Sequence, residues 1–90
     1  MLTNNLLRPE DILPNGVDNT TINGKTIRKG TIAAFLANID CLENANASEQ
    51  QRQEAINIMK ELAPAVVSIG LHKHVVFKNN QVEQILVAAE

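Results

Sequence analysis

The stretch "TINGKTI", residues 21–27, decides how this chain is read. It contains Gly24-Lys25-Thr26, the tripeptide that closes the phosphate-binding loop of many nucleotide hydrolases. That loop also needs a glycine five residues before Gly24, a strand before it and a helix straight after. Asn19 stands where the first glycine would be. Asn23-Gly24 is instead the strongest two-residue hairpin signal, because a type I′ turn needs positive φ at both central positions. Such a turn pairs Ile22 with Lys25, Thr21 with Thr26 and Thr20 with Ile27. Threonines facing each other across strands suit a half-solvated sheet. The expectation is a β-hairpin over residues 17–29 and no bound nucleotide.

On the N-terminal side, residues 1–16 read as a short lead-in. Pro9 can open one helical turn, with Glu10 and Asp11 near its positive end, and Pro14-Asn15-Gly16 stops it. Leu6, Leu7, Ile12 and Leu13 are expected to pin this segment to the core.

On the C-terminal side, Gly30-Thr31 ends the hairpin, and Thr31 is the expected cap of a helix over about 31–43. Ile32, Phe35, Leu36, Ile39 and Leu42 recur at the spacing of one helical face. Ser48 with Gln51 forms a capping box for a second helix over about 49–69. Its face is Ala55, Ile56, Met59, Leu62, Ala63 and Val66. Pro64 should bend or restart this helix, and Gly70 should end it. The short connection makes the two helices antiparallel neighbours.

The last twenty residues admit two readings. Residues 74–78 and 84–88 can be strands around an Asn-Asn turn. Alternatively Asn80 caps a short helix, with Glu83 three residues on and Val82, Ile85, Leu86 and Ala89 at helical spacing. A two-stranded hairpin alone is marginal in water, so extended structure that adds one or two strands is the expectation. The fold class is α+β in one small domain, 1–90.

Composition narrows the function classes. Aromatic residues are only Phe35 and Phe77, so an aliphatic core is expected. Eight Lys and Arg against ten Asp and Glu leave a net charge of −2. Without a basic stripe or aromatic platforms, nucleic acid is not an expected partner. One cysteine, Cys41, permits no internal disulfide. The N-terminal residues lack a basic segment followed by an apolar run, and no apolar stretch reaches the roughly 20 residues of a membrane span. These features point away from secretion and away from a membrane.

Few residues form a chemical constellation. His72 and His74 on a strand would share a face and could approach one metal, but zinc needs further ligands. They are the candidates for an alternative reading as a small metal- or ligand-binding regulator. The plainer reading is a polar lead into a strand, with no cofactor and no metal. Cys41 reads as a partly buried structural residue, and the pairs Glu10–Asp11 and Asp40–Glu43 as surface or helix-terminal charges. The helical pair also resembles a helix-turn-helix reader, with Gln50, Gln51, Arg52 and Gln53 at the start of its second helix. Glu49 and Glu54 there would face phosphate, which counts against DNA.

Residues 22–39, "INGKTIRKGTIAAFLANI", and 62–77, "LAPAVVSIGLHKHVVF", resemble a family of short uncharacterised bacterial proteins. In that family a hairpin turn of an acidic residue or Asn with Gly leads to Thr-Gly-Thr-Val-Ala, a Leu-x-Asn-Ile helix end and a Gly-Leu-Phe motif. The matching positions are Gly24, Gly30, Thr31, Ala33, Leu36, Asn38, Ile39, Gly70 and Leu71, about half the chain. His72 departs from the aromatic, and the C-terminal dozen residues do not match. The resemblance implies a bacterial cytoplasmic protein and carries no activity. The expectation is a non-enzymatic interaction module, in the form of a homodimer or with a protein partner. Val75, Val76, Phe77, Ile85, Leu86 and Val87 are its expected contact, as the most apolar residues outside the helical stripes.

Overall fold

The computed structural model describes residues 6–90; residues 1–5, the beginning of the expected lead-in, lie outside the described residues. Seven elements follow in order: α1 (Pro9–Ile12), β1 (Asn19–Ile22), β2 (Lys25–Arg28), α2 (Thr31–Glu43), α3 (Glu49–Ile69), a 3-10 turn (Leu71–Lys73) and α4 (Asn80–Ala88). The class is α+β, as expected.

The hairpin has the register expected for a two-residue turn, from Asn19 opposite Arg28 to Ile22 opposite Lys25. Asn23 has φ +50° and Gly24 φ +81°, so both central residues are left-handed, as a type I′ turn requires. Lys25-Thr26 begins the return strand, where a phosphate loop would have a helix. Thr21 and Thr26 face solvent, while Ile27 is buried. Among the described residues the sheet has two strands, and no third strand supports it. Support comes from helices: β2 packs on α3, and the Asn23 side-chain amide donates to the Ser68 carbonyl at 2.7 Å.

The N-terminal arm departs from expectation. Leu6, Leu7 and Ile12 are exposed, and only Leu13 is half-buried, beside Pro9, Ile27 and Ile69. Of the four, only Ile12 lies in the single turn of α1, so no common helical face gathers them. Thr31 does not cap α2 either. Gly30, at φ +84°, is the N-cap, while the buried Thr31 hydroxyl donates to the Arg28 carbonyl at 2.6 Å.

α2 and α3 pack against each other, and their expected stripes face the contact fully or half-buried except at Leu36, which stays exposed. The α3 capping box is present: Gln51 N–H donates to Ser48 Oγ at 3.0 Å, and Gln51 Oε1 accepts Ser48 N–H at 2.8 Å. α3 does not restart at Pro64, which it carries within its 21 residues, and it ends at Gly70 with φ +94°. The core joins Phe35 of α2, Ala55, Met59, Ala63 and Val66 of α3, and Val82, Ile85 and Leu86 of α4. It is not purely aliphatic: Phe35 is fully buried and meets Phe77 with ring centroids 5.9 Å apart.

The C-terminal segment is where the favoured reading gives way to its alternative. Residues 80–88 are helical, and 74–78 are neither strand nor paired. The cap is Asn79, one residue before the expected Asn80; its Oδ1 accepts from Gln81 N–H at 2.9 Å and Val82 N–H at 3.3 Å. Helical spacing puts Val82, Ile85 and Leu86 together against α3, whereas a strand would send Ile85 and Leu86 to opposite faces.

Candidate functional site

Two features gather functional side chains: a clasp around His72, and a groove between α2 and the residues that follow the 3-10 turn. Both are built by the chain reversal at Gly70.

His72 sits in the 3-10 turn, with its ring between two carboxylates of the C-terminal region. Nε2 lies 3.3 Å from Glu83 Oε2, and Nδ1 lies 2.6 Å from Glu90 Oε2. The second contact has the distance of an ion pair without hydrogen-bond direction, so Nδ1 is a buried atom lacking a hydrogen bond. Glu83 is the hub. Its Oε1 accepts the Phe77 N–H at 2.7 Å, which ties α4 to the preceding loop. That backbone hydrogen bond holds the Glu83 carboxyl below its ordinary range; burial opposes the shift, and His72 adds to it.

His74 is exposed and caps the 3-10 turn. In a turn of three residues, positions i and i+2 diverge, so the shared face assumed for His72 and His74 on a strand does not exist. Among the described residues no group of three His, Cys, Asp or Glu side chains is placed to hold a metal.

Arg52 is not presented for base reading. Its Nη2 donates to the Asn44 carbonyl at 2.9 Å and to the Ala45 carbonyl at 3.4 Å, closing the C-terminal end of α2. Gln51 is held in the capping box. Cys41 is half-buried, and its thiol donates to the Gln51 carbonyl at 3.8 Å. Glu10 and Asp11 lie in the first turn of α1, where Asp11 Oδ2 accepts the Arg8 N–H at 2.9 Å.

The residues expected at a contact separate into three groups by burial. Ile85 and Leu86 are 8% and 0% exposed, and belong to the chain's own core. They therefore do not belong to a contact patch, contrary to expectation, because helical spacing gives α4 an apolar face that α3 covers. Phe77 is half-buried against Phe35. Val75, Val76 and Val87 remain exposed. Val76 lines a groove of about 510 Å³, with Phe77 and Lys78 on its own side and Leu36, Ile39 and Asp40 of α2 opposite. Glu43 and Asn79 meet in its wall, where Asn79 Nδ2 donates to Glu43 Oε2 at 3.2 Å.

Sequence reading missed the Glu83 hub, because its partners His72 and Phe77 become its neighbours only when α4 folds back. It also placed Leu36 in the buried stripe of α2, whereas Leu36 is 44% exposed at the groove. Among the described residues no helix is long and apolar enough to cross a membrane. No family model, curated protein or solved structure matches the chain.

Proposed function

We propose that this chain is a small non-enzymatic interaction module, working through self-association or with a protein partner. A bacterial cytoplasmic setting, and kinship with the short bacterial proteins it resembles, belong to the same proposal. One observation carries it. Leu36 and Val76, from segments far apart in sequence, converge exposed on one groove over half-buried Ile39 and Phe77. Single exposed apolar residues are ordinary on a protein surface. A groove that gathers them is the form that protein-binding surfaces take.

The test is retention by the tagged full chain from a bacterial extract, wild type against Val76→Asp. A polypeptide, whether a further copy or another protein, should be held by the wild type and lost by the variant, with unchanged circular dichroism. Equal retention by both, or none by either, overturns the reading.

A further inference from the structure

We infer that the groove between α2 and residues 76–79 is a self-docking surface whose occupant is the same groove of a second copy, related by a two-fold axis. The inference deepens the proposed interaction function and rests on it.

Two features favour a second copy. The first is the arrangement of charge. The α2 wall carries Asp40 and Glu43, and the opposite wall carries Lys78. Among the described residues, neither Asp40 nor Lys78 has an ion-pair partner within the chain. A two-fold axis through the groove sets Lys78 of each copy against the acidic wall of the other, because residue i meets j and j meets i. One surface thus supplies both halves of its own complement.

The second is the apolar centre. Leu36 and Val76 are 44% and 82% exposed, and the axis brings the pair from each copy together between those charged margins. The centre is apolar and the rim charged, as in protein interfaces generally.

A net charge of only −2 lets two copies approach without strong repulsion.

Sedimentation equilibrium of the full chain at micromolar concentration tests the inference. The wild type should be a dimer. Val76→Asp should weaken it by about tenfold or more, as expected for a residue at an interface centre. Lys78→Glu should also weaken it, and adding Asp40→Lys to the same chain should restore it. These three side chains are exposed, so each variant should keep the wild-type circular dichroism spectrum. A wild-type monomer overturns the inference; if that monomer still retains another polypeptide through Val76, the interaction reading stands without it. A dimer untouched by Val76→Asp overturns the assigned surface. Weakening by Lys78→Glu that Asp40→Lys does not repair overturns the two-fold arrangement.

Discussion

The side-chain amide of Asn23 donates to the carbonyl of Ser68 at 2.7 Å, joining the tip of the hairpin to the last turn of α3. Residues at the C-terminal end of a helix have carbonyls without intrahelical partners. Asn23 fills one of them while it also adopts φ +50° in the turn. The same residue closes the hairpin and fastens it to the helical body, which explains how two strands persist without a third.

These two roles can be separated by substitution. Asn23→Gly keeps access to positive φ and loses the hydrogen bond, at a cost of about 1 kcal/mol. Gly24→Val forces a β-branched residue into the left-handed region and should cost about 1–3 kcal/mol. Lys25→Ala should be close to neutral. Urea denaturation measures all three. A Lys25→Ala loss as large as that of Gly24→Val would contradict the turn as the reason for this sequence.

Asn79 should matter for the start of α4. Its side chain satisfies two N–H groups at the start of α4, so Asn79→Ala should cost about 0.5–2 kcal/mol. Amide exchange should show α4 losing protection before α3. Uniform loss across both helices would show that α4 does not open independently.

Val76 and Leu86 should respond oppositely to the same change. Leu86 is wholly buried in the core and Val76 is 82% exposed. Leu86→Lys should prevent folding, since an unpaired buried charge is too costly to retain. Leu86→Ala should cost about 2–5 kcal/mol. Val76→Lys should leave the melting temperature of the monomer unchanged. Thermal melts followed by circular dichroism at low protein concentration provide the comparison.

Acid should weaken the Glu83 hub. The folded-state pKa of Glu83 lies below its ordinary value, chiefly through the Phe77 N–H, so the folded protein binds fewer protons at this site than the unfolded one. The stabilisation is therefore complete above the ordinary carboxyl pKa of about 4.3 and is lost as pH falls below it. Melting temperatures measured from neutral pH down through the acid range should fall less steeply in Glu83→Gln than in the wild type. Identical slopes would remove Glu83 as a source of acid sensitivity.

Hairpin, helix pair and both ends of α3 were legible because each is written in adjacent residues. Asn23-Gly24 specifies a turn, Ser48 and Gln51 specify a helix start, and Gly70 specifies a helix end. The clasp was not legible, because Glu83 reaches Phe77 and His72 only after a reversal that brings α4 back onto α3. The apolar face of α4 was visible as a pattern, but the competing strand reading drew on a general need of hairpins for a third strand. Asn23 and α3 meet that need by another route.

The sequence by itself determined the local elements from Asn19 to Gly70, since turn chemistry, capping and apolar spacing act within a few residues of one another. Only the tertiary structure decided that residues 80–88 are helical, that His72 lies between two carboxylates, and that Leu36 leaves the buried stripe for the groove. In each case the deciding energy is the burial of one element's face against another, and a linear pattern does not state which part of an apolar stripe its neighbour will cover.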